Sequence, residues 1–434
     1  MRHRAWLWGL WTLALGCASD RPPPQKASTG PIELLYWCAP NPDEVAIARE
    51  LVAAWNRRHP EVRVRLQPLP AGQSSEEVLL AAVAARTTPD VCSNIWPGIV
   101  PDLARAGALL ALDAMPGFDS LVRSRLPEGM LEAFRSADGR VYQLPWKTNP
   151  ILMQYNVRLL REAGFSRPPR TYSEYLEAAA RLRRDLDGDG TPDRWMGFRD
   201  IRPIWWQRYF DFYAFYLAAS GGRSLFDAQG RLVLDTAAAA KVLGFFQVLF
   251  ERGYYPRSTL VGNAFLNGRI ATEFTGPWIL AYLEKYAPPD LEYDYAPLPV
   301  PDGHRGPVYT YGDHKNIAIF STSRHPEAAW RFVQYLVSEE ADRLLLLRAQ
   351  QLPIRRGLLE DPDFAPIFAR HPKLRRFAEQ VPYSRAVDGV RDLKEILDAV
   401  ARQFERASVY GRVSPQEAVR RLVARIRLIQ EWAS

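Results

Sequence analysis

An alternation of strand and helix that begins at Ile32 constrains this chain more than any other feature. IELLYW (32–37) is a short apolar run of the kind buried on both faces of a sheet. NPDE (41–44) then opens a helix: Asn41 can cap it, Pro42 suits the first position, and Glu44 can reach back as in a capping box. Ile47, Leu51 and Trp55 recur at i, i+4 and i+8 and give one apolar face. VRVRLQ (62–67) alternates strictly, as a strand with one wet face does. A second helix near 75–86 leads to PDVCSN (89–94), a further strand. Such repeats imply an α/β fold with a mainly parallel sheet, helices on both faces, and ligands at the carboxyl ends of its strands. Trp37 and Asn94–Trp96 lie at those ends.

The same signals recur later. Thr171 with Glu174, and Ser414 with Pro415 and Glu417, mark helix starts. NIAIF (316–320) is a short strand feeding the helical WRFVQYLV (330–337). At 434 residues the chain exceeds one ordinary core and suggests two domains.

The N-terminus reads MRHRAWLWGLWTLALGCAS. Arg2 and Arg4 give a basic start, and Ala5 to Gly16 form an apolar run too short to span a bilayer as a mature helix. It ends in small residues before Cys17, with Ala14 at the third place before the cysteine. This resembles a bacterial lipoprotein signal over 1–17, with Cys17 lipidated; the plainer reading is a secretory signal cut nearby. Either way export is expected. DRPPPQKASTGP then reads as a tether (18–30) rather than a fold. No later segment has the unbroken apolar length of a transmembrane helix, so lipid is the expected anchor at the cell membrane.

Net charge is +7, but the positive residues are scattered among carboxylates with no K/R-rich run, so nucleic acid is not an expected partner. The remaining cysteines, Cys38 and Cys92, close predicted strands. They can pair in an oxidising compartment, or each can pack as a small hydrophobe.

DLDGDGTPD (185–193) follows a calcium-loop pattern. Asp185, Asp187, Asp189, Gly190 and Asp193 take positions 1, 3, 5, 6 and 9, and Thr191 offers its carbonyl from position 7. Position 12 is Met196 in place of the bidentate Glu. A structural Ca²⁺ competes here with an ordinary solvated turn, and no other cofactor is expected.

Taken in order, several stretches resemble the bacterial extracellular solute-binding proteins of the sugar-transporter type, often called family 1. They are the strand ending in Trp37, AAWNRRHPEVRV, TPDV (88–91), LARAGALLALD (103–113), YQLPW (142–146), AFLNGRIATEFTGPWIL (264–280), APLPVPDG (296–303), NIAIFSTSRHPEAAWRFVQYLVSEEA (316–341) and LPIRRGLLED (352–361). The resemblance covers nearly the whole mature chain. It implies a two-lobed, type II periplasmic-binding-protein-like fold with ligand in the cleft. Hinge crossings are expected near Asn149, Val308 and Arg348. Lobe one is then 31–149 plus 309–347, and lobe two 150–308 plus 348–434. It further implies a receptor, expected to be monomeric, that hands a sugar or oligosaccharide to the permease subunits of an ABC importer and is not itself an enzyme.

The ring of Trp278, after Gly276–Pro277, is implied to lie in the cleft, where a flat aromatic can cover the C–H face of a sugar. A core Trp behind a turn is the alternative. Trp37, Trp96 and, of the Trp205–Trp206 pair, Trp206 are the other aromatic candidates. Asn41, Asn94, Asn149, Asp313 and Arg355 are the polar ones; Arg355 can equally form a structural ion pair. Where many members have a Gly-Gly pair, YTYGDHK (309–315) places Tyr311 and Asp313 around a single Gly312, which changes what reaches the cleft. The competing class is an exported glycosidase, which needs two carboxylates facing one another. Neither GxSxG nor HExxH nor a phosphate loop occurs, and the six His residues form no ligand-spaced cluster.

Overall fold

The computed structural model describes residues 30–433, apart from 72, 73 and 228. The expected signal, its Cys17 and most of the tether lie outside the described residues. The strands are β1 (Ile32–Cys38), β2 (Val62–Pro68), β3 (Val91–Ile95), β4 (Leu144–Thr148), β5 (Leu152–Asn156), β6 (Thr272–Thr275), β7 (Tyr293–Ala296), β8 (Thr310–Tyr311), β9 (Lys315–Ile319), β10 (Leu352–Pro353) and β11 (Ser384–Arg385). The helices α1 (Pro42–Arg58) and α2 (Ser75–Ala85) link the first three strands. The large sheet runs β10-β4-β9-β3-β1-β2 and a small one runs β6-β5-β7. As expected from the alternation, β1 lies parallel to both β2 and β3. The expected mainly parallel sheet is not found beyond these: β9, which holds most of NIAIF, inserts antiparallel between β3 and β4, β10 pairs antiparallel with β4, and β5 pairs antiparallel with both β6 and β7.

Alternation along β1 divides the core. Leu34, Tyr36 and Cys38 face a cluster with Ile47, Leu51 and Trp55 of α1 and with Trp330 and Phe332. Trp37 points the other way, with Cys92, Ile95 and Trp96, into a cluster that also holds Phe212, Phe215 and Phe246. The same rule decides the cysteines. Trp37 stands opposite Cys92 in the register, so Cys38, one residue on, points to the opposite face. Both thiols are free and buried, and burial pushes each up to about 12. A disulfide between them is therefore ruled out by the sheet itself.

The three sequence-level helix starts each form by half. Asn41 Oδ1 accepts from the Asp43 and Glu44 amides, Thr171 Oγ1 from Glu174, and Ser414 Oγ from Glu417. The glutamates go elsewhere. Glu174 holds Arg167 and the Arg170 amide, and Glu417 holds Arg420 and Arg421. Glu44 is buried, 2.6 Å from the Lys147 ammonium, and also accepts from Gln351 at 2.8 Å.

The chain leaves the large sheet at Thr148 and enters the small one at Leu152. Between them, the Asn149 amide donates to Gly312 O at 2.6 Å and the Ile151 amide to Tyr311 O at 3.0 Å. Beside these, β8 pairs parallel with β11. Just past the crossing expected near Arg348, β10 pairs antiparallel with β4 of the large sheet. Among the described residues no helix is long and apolar enough to cross a membrane.

Candidate functional site

Four segments meet around a cavity of about 390 Å³. The first is the start of α2. Ser74 caps this helix by accepting from the Glu77 amide, and its hydroxyl also donates to Glu76 Oε2 at 2.8 Å. The second is Trp96, just beyond β3. The third is a 3₁₀ turn, Trp205–Tyr209, continued by Phe210. The fourth is Tyr311–Lys315, between β8 and β9. Here Tyr311, Asp313 and Lys315 face this cavity, while His314 lines a separate one with Phe134 and Ile354.

Aromatic rings wall the space. Trp96 lies 5.4 Å from both Trp205 and Tyr209, and Tyr209 stacks on Tyr311 at 4.8 Å. Burial pushes the Tyr209 and Tyr311 hydroxyls well above the usual phenol range, so both stay protonated. Trp96 is seated on a glycine two residues along, since an added Cβ at Gly98 would stand 2.1 Å from its ring. The Gly276-Pro277-Trp278 stretch repeats the arrangement in reverse, with a Gly276 Cβ 2.1 Å from the Trp278 ring.

The polar floor is charged. Tyr311 donates to Asp313 Oδ1 at 3.0 Å. Lys315 Nζ stands 3.7 Å from that oxygen and 4.0 Å from Glu76 Oε1. Burial alone would push the Lys315 ammonium down; Asp313, Glu76 and Glu44 outweigh it and hold it above the ordinary lysine value. Asp313 has φ +30°, in the left-handed region that an aspartate tolerates better than most residues but that still costs energy.

Of the sequence candidates, Trp96, Trp206, Tyr311 and Asp313 line this cavity. Trp278 is half-buried and meets Phe210 edge-on at 5.9 Å, with Phe210 the ring at the cavity wall. Asn94 donates to Ser75 Oγ at 3.0 Å, one residue back from the space. Trp37 is buried in the core, and its indole N–H has no hydrogen-bond partner among the described residues. Asn41 caps α1, and Asn149 donates to Gln351 where the chain changes sheets. Arg355 pairs with Asp342 at 2.9 Å and lines the separate cavity behind His314.

Sequence reasoning missed Ser74, Ser75, Glu76, Trp205, Tyr209, Phe210 and Lys315. Two signals were available: Ser74 as a helix cap before a Glu pair, and the i, i+2, i+4 alternation that extends Tyr311 and Asp313 to Lys315.

In the Asp-rich loop, Asp185, Asp187 and Asp193 each bring an oxygen within 4.8 Å of the others. Asp189 instead accepts from the Thr191 amide. The Gly190 and Gly188 amides hold the Asp185 carboxyl below its ordinary value. Met196, at the place of the twelfth ligand, is fully buried and supplies none.

The family model for the bacterial extracellular solute-binding protein matches residues 39–343. This chain belongs to the bacterial extracellular solute-binding proteins. The binding protein is 23% identical over 352 residues to the arabinooligosaccharide-binding protein of Halalkalibacterium halodurans, covering 77% of this chain and 74% of that one. Among solved structures it is similar to the sugar-binding protein MalE of Xanthomonas citri, at 25% identity and a TM-score of 0.71, over 92% and 99% of the two chains. The uncharacterized protein lmo0859 of Listeria monocytogenes EGD-e matches at 26% identity and a TM-score of 0.76, over 91% and 98%. The fold is accordingly the two-lobed, type II periplasmic-binding-protein fold.

Proposed function

We propose that this binding protein is the carbohydrate receptor of an ABC importer. It captures a sugar or oligosaccharide in the aromatic cavity and delivers it, in the closed form, to permease subunits. One observation carries the reading: six aromatic rings surround Glu76, Asp313 and Lys315. Flat rings cover the C–H faces of a pyranose, and the carboxylates and ammonium accept from and donate to its hydroxyls. For the switch to work, the ligand must prefer the closed lobes over the open ones. The binding protein is exported, with lipid on Cys17 as its anchor and the tether as its reach; it acts as a monomer, without nucleic acid.

The glycosidase reading has one point in its favour, the presence of Glu76 and Asp313 in one cavity. A glycosidase acid, however, needs a carboxyl kept protonated by an apolar or like-charged setting. A lysine set between these two carboxylates supplies the opposite setting. Isothermal titration with an oligosaccharide panel, followed by chromatography of the same mixtures after prolonged incubation, tests both readings. Saturable binding with intact ligand is expected; released products would replace the receptor reading with an enzyme.

A further inference from the structure

The charges in the cavity do not balance. Elsewhere, three buried carboxylates have at least one cation each, while a fourth, Asp388, has none among the described residues and is pushed by burial up to about 6. Glu44 has Lys147 at 2.6 Å and Asp211 has Arg208 at 3.0 Å, while Asp342 is held by both Arg125 and Arg355. In the cavity, two carboxylates share one ammonium. Their side chains are only 13% (Glu76), 12% (Asp313) and 20% (Lys315) exposed. At 3.7 and 4.0 Å the lysine also stands beyond hydrogen-bond length of both. The Glu44–Lys147 pair behind it is neutral as a unit, so the cavity carries one net negative charge.

Resting on the receptor reading, we propose that the ligand supplies the missing cation, being a saccharide of the amino-sugar class that carries a protonated amine. Closure strips water from Glu76 and Asp313, and a carboxylate without water or counter-charge is costly to bury. A neutral sugar satisfies hydrogen bonds and leaves the excess charge in place. An anionic sugar adds to it. An ammonium completes one cation per carboxylate, and the faces of Trp96, Trp206 and Phe210 favour a positive group over a neutral one.

The test uses the whole exported chain and a matched panel. The panel holds glucose, glucosamine, N-acetylglucosamine and glucuronic acid, with the β-1,4-linked dimers of the first three. They are titrated calorimetrically at low salt and at a pH where the sugar amine is charged. The amine-bearing member should bind at least tenfold tighter than its hydroxyl and acetamide counterparts, with glucuronic acid weakest. The gap should close when pH is raised through the amine's own titration, and in Glu76→Gln, which keeps the shape and removes the charge. Asp313→Asn should act in the same way. Neutral members that bind as tightly as the amine, or more tightly, overturn the charge argument and leave the receptor standing. No binding by any saccharide of the panel overturns both.

Discussion

Gly98→Ala is a one-carbon test of whether the Trp96 ring shapes the site. A Cβ at Gly98 would stand 2.1, 2.4 and 2.5 Å from three carbons of that ring, far inside contact distance. Pro97 stiffens the backbone between the two residues, so the ring is the part that yields. It then gives up its contacts with Trp205 and Tyr209, both at 5.4 Å. Aromatic pairs are worth about 0.5–1.5 kcal/mol each beyond their area, so the two together come to about 1–3 kcal/mol. A ligand contact of the same scale lost with the displaced ring would weaken affinity roughly 5- to 150-fold. The upper end is expected, because the space beside the ring is the cavity of about 390 Å³, and an indole turned into it displaces ligand. Titration calorimetry against the tightest saccharide measures the loss, and tryptophan emission reports the ring. Gly389→Ala is the control, since its added Cβ meets nothing within 4 Å. A Gly98→Ala protein with unchanged affinity would refute the assignment of Trp96 to the site.

Other expectations are more local. Lys147→Met leaves Glu44 as a buried, unmatched carboxylate and should cost about 3–5 kcal/mol in denaturant unfolding; Glu44→Leu added to it should restore much of the loss, and additive effects would refute the pairing. Trp278→Ala acts through Phe210 and should weaken sugar binding by only about 1 kcal/mol; a complete loss of binding would place the ring in direct contact with ligand. Burial pushes His314 down to about 4, so the unfolded chain takes up its proton first as pH falls. The stability this group contributes is present above about pH 6.5 and declines toward pH 4, with about 2 kcal/mol lost between pH 7 and 5; the loss should be absent from His314→Leu. If the Asp185 loop holds calcium, millimolar Ca²⁺ raises the melting temperature and Asp187→Ala with Asp193→Ala abolishes the rise, whereas identical curves with and without chelator make it an ordinary turn. Cys17→Ser should release the protein from membranes; retention after a high-salt wash would move the anchor elsewhere.

Much of the first lobe was legible because its signals are local. Ile47, Leu51 and Trp55 mark their helix by spacing, and Asn41 caps where its sequence says it should, as Thr171 does in the second lobe. What escaped was decided by distant partners. Glu44 has the sequence of a capping-box residue, yet it turns to Lys147, 103 positions away. The two-residue β10 contains a proline and is too short to show any period, so its place in the large sheet was not legible. In the site, a local departure from the family pattern drew attention to Tyr311 and Asp313. Trp205 and Tyr209 were obscured because rings at near-helical spacing look alike whether they face a core or a cleft. The offset that sends Cys38 and Cys92 to opposite faces is a matter of register between strands, which neither strand encodes alone.

That offset has a practical side. With both thiols sealed on either side of the sheet and pushed up to about 12, the described chain needs no oxidant to fold and offers alkylating reagents little at neutral pH. A single cysteine introduced at the cavity mouth, where Trp206 is 44% exposed, would then be the one readily labelled position on the described chain. A polarity-sensitive dye attached there would turn lobe closure into a change of colour, and the receptor into an optical sensor for its own ligand.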